Sequence, residues 1–405
     1  MKRRETRSAL RILLPVGVGT CLSLIGDASL YAVLPTHTAA AGVSMGTVGI
    51  LLSANRVVRV FFNGPTGVAY GRYSRRRLFV LALFMGAFST AIYGLSRGFW
   101  PLLVGRLVWG LAWAGIWIGG NTIVAEIGHR DERGRWVGFY QGFFYLGVSG
   151  GPIVGGLLTD GIGYHRAMGV AAGLTLIGAL IALTSLPEVD RTEPVATNRR
   201  GGLRRSILDL GPAVVAAFAV HGVNRLVVSG VLNSTLGLLL QEEVGAQVQI
   251  AGRSIGVATL TGSGLGLSAL MAMASAAVLG AVSDRTVSRW NVVAGGLVPG
   301  MAGFALLTIG APWSIVAGIP LTALASGSNQ SLSTTLIGDL SRPGEQSRWL
   351  GILFTVGDLT SAVGPPVAYA LIPLLGIRGG YVLSAGLLAA MFIVALGQGR
   401  RALEA

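Results

Sequence analysis

Ionisable side chains within long apolar stretches are the residues of this sequence best suited to chemistry. A charge inside a bilayer is costly, so such residues are rare and default to ion pathways, substrate sites or internal ion pairs. An Asp beside an Arg stays ionised, whereas an Asp in a dry pocket binds a proton. Seven residues fit this description: Asp27, Arg56, Arg59, Arg106, His221, Arg225 and Asp358.

Twelve apolar segments must position these side chains. Of the 405 residues, 52% are hydrophobic and only 12% are charged, which excludes an ordinary soluble protein. About 20 apolar residues in a helix cross the hydrocarbon core, and lipid-embedded helices tolerate many glycines. We predict an all-α integral membrane protein with twelve transmembrane spans, numbered in order: 12–34, 47–66, 78–96, 100–122, 136–158, 167–186, 211–232, 256–282, 292–310, 313–336, 349–372 and 380–398.

The positive charge is distributed asymmetrically. The net charge is +14, and the segments that we place in the cytoplasm carry 23 Lys and Arg residues. The opposite loops carry four, at Arg97, Arg166, Arg253 and Arg378. Because Lys and Arg accumulate in cytoplasmic loops, we predict a multi-pass protein of the plasma (inner) membrane with both termini cytoplasmic. The charge therefore sets topology and gives no reason to expect nucleic acid as a partner.

The two halves of the sequence are related by a fixed offset of 213 residues. At this offset Arg72 aligns with Arg285 and Trp136 with Trp349, and the matches continue over about 85 residues. They predict two pseudo-symmetric six-helix bundles, 1–186 and 210–405, joined by a cytoplasmic linker at 187–209. Such repeats, related by an axis along the membrane normal, enclose a central cavity that opens to either side in transporters.

The loop after span 2 contains Gly67 and Arg72, followed by three arginines at 75–77. The second-half copy carries Asp284 and Arg285, whereas Gly71 stands where the first copy would have its acid. A basic loop that only sets topology explains the arginine cluster as well.

Spans 4 and 5 carry two further motifs. In span 4, Arg106 follows a glycine and precedes the Trp-Gly pair at 109–110. In span 5, small residues recur around a proline, a pattern that lets a neighbouring helix approach closely: Gly147, Gly151, Pro152, Gly155 and Gly156. Together with the loop motif, these sequences resemble the major facilitator superfamily over essentially the whole chain. The span 5 motif is similar to that of the family's proton-coupled drug and other efflux antiporters.

The resemblance implies roles for several of these residues. It implies the family fold and a gating role for the loop residues Gly67, Arg72, Asp284 and Arg285. In the family, the arginine motif of span 4 is linked to proton coupling. The helical rise of about 1.5 Å per residue places Asp27 about 22 Å and Arg106 about 21 Å above the inner boundary.

Because spans 1 and 4 line the cavity in the resembled family, we predict that Asp27 and Arg106 face each other or share a water. Switching Asp27 between a charged and a protonated form would then couple protons to transport. A fixed structural ion pair is the alternative.

Arg59 and Asp358 are predicted to form an inner gate. Their estimated heights are about 12 Å and about 14 Å, and spans 2 and 11 meet across the two halves in the resembled fold. The alternative is that each residue snorkels or pairs within its own half.

Substrate contacts are predicted for residues of spans 2, 4 and 7. His221 and Arg225 are four residues apart and so share a helix face that could bind a carboxylate or phosphate. A helix-helix hydrogen bond for His221, and packing roles for the tryptophans, are the alternatives. The predicted cavity residues are Arg56, Trp109, Trp113, His221, Asn224 and Arg225. We expect no metal site and no cofactor.

These features predict a secondary active transporter of the multidrug type, which exports drug-like molecules in exchange for protons. We expect it to be a monomer in the lipid bilayer. Proton-coupled uptake of a small organic anion and a non-transporting membrane sensor are the alternatives. An enzyme is not expected, because the sequence contains neither an HExxH motif nor a phosphate-binding loop. The GxSxG pattern around Ser149 lies within a helix, where a nucleophile elbow cannot form.

Overall fold

The computed structural model describes residues 2–127, 133–188, 211–250, 252–286, 288–341 and 345–404. Most of the predicted linker at 187–209 lies outside these residues. The described chain is helical almost throughout, with a π-helical segment between α8 and α9 at Arg225–Leu232. The α-helices are α1 (Lys2–Val33), α2 (Thr38–Ala41), α3 (Met45–Arg72), α4 (Arg75–Leu95), α5 (Phe99–Ala125), α6 (Arg133–Ile162), α7 (Tyr164–Ser185), α8 (Pro212–Asn224), α9 (Asn233–Val244), α10 (Val257–Ser283), α11 (Arg289–Ile309), α12 (Pro312–Leu340) and α13 (Gln346–Glu404).

The long helices match the predicted spans in order. Ten of the described helical segments are long and apolar enough to cross a membrane, and the last of them, Arg348–Arg401, holds predicted spans 11 and 12. These two spans separate at Gly376, whose φ of 68° interrupts the helix. Helix α12 coincides with predicted span 10. The prediction of an all-α membrane protein of twelve spans is therefore confirmed.

One short β-hairpin was not predicted. Strand β1 (Gln247–Ile250) pairs antiparallel with β2 (Arg253–Gly256), with Gln247 opposite Gly256. Gly252 in the turn has a φ of 76°, which favours glycine. The alternation of polar and apolar residues along β1 is the period-two pattern of a strand, so the sequence contained this signal.

The first of two compact units comprises Met1–Pro194 together with Leu236–Gly266. In it α1 packs against α6 and α7, α4 against α5 and α7, and α3 against α5. Large buried side chains, among them Phe79, Trp109, Trp136 and Tyr140, form its core.

The second unit comprises Val195–Thr235 together with Leu267–Ala405. Here α11 packs against α12 and α13, and the π-helical segment packs against α13. Gly230 and Gly364 make the latter contact possible, because a Cβ on Gly230 would lie 2.8 Å from the Gly364 Cα.

Large apolar side chains are exposed on the long helices, among them Leu95 (87%), Phe61 (70%) and Ile393 (69%). A surface of this kind is suited to lipid.

The internal repeat is also visible in local geometry. The guanidinium of Arg135 lies 5.1 Å from the centre of the Trp136 ring, and that of Arg348 lies 5.3 Å from the centre of the Trp349 ring. The two pairs are 213 residues apart, so the same contact has been kept in both copies.

Candidate functional site

Arg106 on α5 is the centre of a buried polar cluster in the first unit. Its side chain is fully buried, and Nη1 forms an ion pair with Oδ1 of Asp27 on α1, whose side chain is 14% exposed. The two side chains that the depth estimate placed at one level are thus in direct contact. A buried charge needs such a partner, because an isolated ion in a low dielectric is strongly disfavoured.

The remaining donors of Arg106 bind α3 and α1. Nε donates to the carbonyl oxygen of Leu51 at 2.9 Å, and Nη2 donates to the Tyr31 hydroxyl at 3.2 Å and to the Leu52 carbonyl at 3.4 Å. The Tyr31 hydroxyl in turn donates to the Leu52 carbonyl at 2.9 Å. The planar guanidinium is therefore fixed on three edges, a geometry that a lysine cannot reproduce.

Arg56 on α3 belongs to the same cluster. Its guanidinium carbon lies 5.2 Å from the centre of the Tyr31 ring, and that of Arg106 lies 5.4 Å from it. Cations within about 6 Å of an aromatic face are attracted by the ring quadrupole. Tyr31 thus contacts two arginines within one buried cluster, in which Tyr31 and Arg56 are 9% and 8% exposed and Arg106 is fully buried.

Glycines let the helices approach closely around this cluster. A Cβ on Gly110 of α5 would lie 2.5 Å from the Asn55 carbonyl oxygen and 2.7 Å from Cβ of Val58, both on α3. The contact brings the α3 carbonyls within reach of Arg106. The glycine that follows the tryptophan in the span 4 motif therefore has a packing reason.

Trp109 and Trp113, predicted to contact substrate, are buried in the core of the first unit. They are 1% and 7% exposed, with their ring centroids 6.2 Å apart. Trp109 also fills the space left by Gly86 on α4, since a Cβ there would lie 3.0 Å from its ring. This placement favours the packing alternative for Trp109, and a substrate role for Trp113 stays a prediction.

The glycine motif of span 5 lies on α6 between two neighbouring helices. On one side, a Cβ on Gly147 would lie 2.7 Å from the Cys21 carbonyl oxygen, and one on Gly151 would lie 3.0 Å from the Ile25 Cα; both partners are on α1. Gly155 continues this face against Ser29, whose hydroxyl donates to the Gly151 carbonyl at 2.9 Å.

On its other side, α6 contacts the first turns of α10. Gly156 packs against Ala258, and Gly262 against the backbone of Pro152. At the end of α6 the Asp160 carboxylate accepts a hydrogen bond from the Thr259 N–H at 2.8 Å and so caps α10. The motif is therefore a two-sided packing surface.

The second unit contains a separate polar cluster on α8 and the π-helical segment. His221 and Asn224 are 3% and 2% exposed. His221 lies beside Gly357 of α13, where a Cβ would lie 2.6 Å from Nε2 of the histidine and 3.5 Å from Cγ of Arg225. Both side chains thus share one face, as their spacing predicts. A π-helical turn is rare and often marks a functional site.

The polar side chains of this cluster bind neighbouring groups. Asn224 Nδ2 donates to the Ala325 carbonyl at 3.2 Å, and Arg225 Nη1 donates to the Ser229 hydroxyl at 2.9 Å. These bonds link α8 to α12 and stiffen the π-helical turn. Substrate contact by His221, Asn224 and Arg225 stays a prediction.

The sequence model of the family described as Major Facilitator Superfamily matches residues 16–319 and 226–403 of the chain. The chain belongs to this superfamily. The tetracycline resistance protein of class G from Vibrio anguillarum is 27% identical over 365 residues, covering 88% of each protein. The class D protein from Salmonella ordonez is 26% identical over 320 residues, covering 78% of this chain and 77% of the other. A probable 4-methylmuconolactone transporter from Cupriavidus pinatubonensis is 31% identical over 150 residues, only 35% of its length.

Solved structures show the same fold at low identity. A bacterial homologue of the human lysosomal transporter Spinster, inward-facing and occupied, has a TM-score of 0.81 at 15% identity and covers 96% of each chain. The human organic anion transporter MFSD10 has a TM-score of 0.64 at 21% identity, covering 96% of this chain and 99% of its own. This superfamily member is thus a multi-pass membrane transporter by family and fold.

The predicted gating residues of the superfamily loop motif lie at helix ends. Gly67 has open space around it, and Arg72 closes α3 at the surface. In the second copy Arg289 pairs with Asp284 at 3.1 Å and with Asp339 at 2.8 Å, while Arg285 is exposed. Their gating role stays a prediction.

The two residues of the predicted inner gate belong to different units. Arg59 belongs to the first unit and Asp358 to the second. Both side chains are half-buried. Their pairing stays a prediction.

Two acidic residues at helix ends were missed in the sequence. Glu126 forms an ion pair with Arg75 in the first unit, and Asp339 forms one with Arg289 in the second. The 213-residue offset relates Glu126 to Asp339 and Arg76 to Arg289. Extending the repeat to acidic residues would therefore have found both. In the described residues, no three His, Cys, Asp or Glu side chains cluster so as to hold a metal ion.

Proposed function

We propose that this superfamily member exports a small amphipathic compound from the cell in exchange for protons. The observation that carries the proposal is the ion pair of Asp27 and Arg106, in which the arginine is fully buried and the acid retains 14% exposure. The acid that would take up a proton is thus the more exposed member of the pair, whereas its partner is fully buried.

The bonds of Arg106 favour a proton switch at Asp27. Protonation of Asp27 would remove the charge that Arg106 neutralises, while the Leu51 and Leu52 carbonyls on α3 would continue to hold the guanidinium. Protonation would therefore weaken mainly the contact between α1 and α5. A switch of this kind can bias a two-state transporter because the proton binds the two states with different affinity.

The relatives support export of a drug-like compound. Several are named tetracycline resistance proteins, and export of a drug from the cell would confer resistance to it. Arg56 and Tyr31, which retain 8% and 9% exposure, suit an aromatic compound with acidic or polar oxygens.

Uptake of an organic anion with protons is the second candidate. Arg56 on Tyr31 and Arg225 near His221 favour it, as do the names of the 4-methylmuconolactone and organic anion transporters. The two candidates differ in direction, because export requires that protons and substrate move oppositely.

Transport by purified protein in liposomes tests these proposals. We expect an acid interior to drive accumulation of tetracycline, and Asp27→Asn to abolish that accumulation while leaving exchange of labelled for unlabelled tetracycline. Glu242→Gln, an exposed carboxylate, is the control. Accumulation driven from an acid exterior, with 4-methylmuconolactone as the probe, would instead support uptake. Full gradient-driven transport by Asp27→Asn would refute the proton switch, and absence of any flux would support a sensor.

A further inference from the structure

A groove between α10 and α11 in the second unit is unrelated to the polar clusters described above. It is open along one side and has a volume of about 610 Å3, within the range of about 300–1,000 Å3 typical of ligand pockets. Its walls are mainly apolar and include Leu279 and Val282 on α10, and Val292 and Pro299 on α11.

Gly295 and Pro299 explain why α11 has a groove here. A Cβ on Gly295 would meet nothing within 4 Å, whereas one on the next residue, Gly296, would lie 2.8 Å from the Ser328 hydroxyl of α12. Gly296 therefore packs against a helix and Gly295 faces open space. Pro299 has no N–H, so it gives no helical hydrogen bond to the Gly295 carbonyl four residues before it.

The groove is polar at one end and apolar at the other. Ser288 and Asn291 line it where α11 begins. With a rise of about 1.5 Å per residue, Leu279 lies about 6 Å along α10 from its end and Pro299 about 15 Å along α11 from its start. The exposed Val278 (61%) and Val298 (46%) extend the apolar surface on both helices. A ligand that fits this gradient has a polar head and an apolar tail.

The polar end offers donors to an anion. Ser288 is 7% exposed, and its hydroxyl has no hydrogen-bond partner among the described residues. It is the N-cap of α11 but makes no side-chain capping bond, so the first N–H groups of the helix are not capped by it. The exposed Arg285 lies three residues before it. A helix N-terminus with a free hydroxyl and a nearby cation suits a phosphate.

We propose that this groove binds a phospholipid of the surrounding bilayer. One acyl chain lies between α10 and α11 over Gly295. The phosphate accepts hydrogen bonds from the Ser288 hydroxyl and the first N–H groups of α11, with Arg285 as its counter-charge. A phospholipid is favoured over a soluble ligand because the walls belong to two membrane-spanning helices and the polar end coincides with their termini.

Photolabelling of the full-length protein in liposomes tests the proposal. The probe is phosphatidylglycerol with a diazirine in one acyl chain, and labelled peptides are identified by mass spectrometry. We expect labelling to concentrate on 279–299 and to be competed by phosphatidylglycerol. Neither inorganic phosphate nor diacylglycerol with the same chains should compete, because each lacks one half of the ligand.

Two matched pairs of variants locate the site. Gly295→Leu fills the groove, and we expect about tenfold less labelling, the effect of losing the burial of about two methylene groups. Gly386→Leu, at another glycine with open space, is its control. Arg285→Gln should weaken competition by phosphatidylglycerol, and the exposed Arg400→Gln should not. If Gly295→Leu does not fold, Val282→Trp fills the groove from the other wall.

Labelling spread evenly over the long helices would overturn the proposal, since it would indicate only general contact with the bilayer. Unchanged labelling in Gly295→Leu or Val282→Trp would do so as well. If diacylglycerol competed as well as phosphatidylglycerol does, the proposed phosphate site would be ruled out.

Discussion

Arg106 connects three helices through one side chain. It pairs with Asp27 on α1 and donates to two carbonyls of α3, while its own backbone lies on α5. The contact between Asp27 and Arg106 was predicted from two facts: height along a helix is a simple count of residues, and spans 1 and 4 both line the cavity in the resembled family. The carbonyl partners did not, since they depend on how each helix is rotated about its axis.

Arg106→Lys should lower the free energy of unfolding by about 2 kcal/mol, because two buried carbonyl bonds are lost while the charge is kept. The midpoint of chemical unfolding in detergent measures this, with the exposed Arg400→Lys as the control. Equal stability of the two variants would show that the fork geometry of Arg106 contributes nothing beyond its charge.

At the scale of helices, α6 is the element whose sequence motif is best explained. Its glycines face α1 on one side and α10 on the other. The spacing of these glycines predicted that a neighbouring helix packs closely against α6. It did not predict two such helices, because glycines four residues apart define only one helix face. The π-helical turn after α8 was also unpredictable, since its sequence is as apolar as a regular span.

Gly147→Ala tests the contact of α6 with α1. The new methyl group would lie 2.7 Å from the Cys21 carbonyl oxygen and 2.8 Å from Cβ of Leu24. We expect a loss of about 1–3 kcal/mol in the free energy of unfolding from overpacking. Gly150→Ala, where a methyl group meets nothing within 4 Å, is the matched control and should be neutral or slightly stabilising. Similar losses in both variants would contradict packing as the reason for the motif.

The turn between α1 and α2 should respond to pH through His37. Burial lowers the pKa of His37 below its usual value of about 6.5, and the hydrogen bond to the Val33 backbone and the Asp160 carboxylate only partly oppose this effect. The unfolded chain therefore binds a proton that the folded chain does not, and stability falls as the pH drops below about 6.5. Thermal unfolding between about pH 7.5 and about pH 5.5 should show this loss in the parent, and less of it in His37→Gln. The two proteins should have similar unfolding temperatures at the higher pH. Identical pH profiles would exclude His37 as the group responsible for the loss of stability.

For the whole molecule, the arginine distribution agrees with the positions of the charged contacts within each unit. In the first unit Arg97 donates to His165 at one end of the helices, at 3.0 Å, and Arg76 pairs with Glu188 at the other, at 3.8 Å. In the second, Arg285 and Arg289 lie together where α10 ends and α11 begins. Composition thus predicted an all-α membrane protein, and the resemblance of the motifs predicted its superfamily. The division into units, which assigns Leu236–Gly266 to the first, depends on packing that no local pattern records.

Labelling of single cysteines tests the predicted orientation of the chain. Cys21 is the only cysteine, so Cys21→Ala gives a cysteine-free parent in which one new thiol is placed at a time. A membrane-impermeant maleimide applied to intact cells should react with Arg97→Cys and Arg253→Cys, in loops with few positive charges. It should react with Arg72→Cys and Arg285→Cys only after permeabilisation, because arginine-rich loops are retained in the cytoplasm. The opposite labelling pattern would show that the chain has the inverted orientation in the membrane. The direction of transport proposed for the proton switch at Asp27 would then be reversed as well.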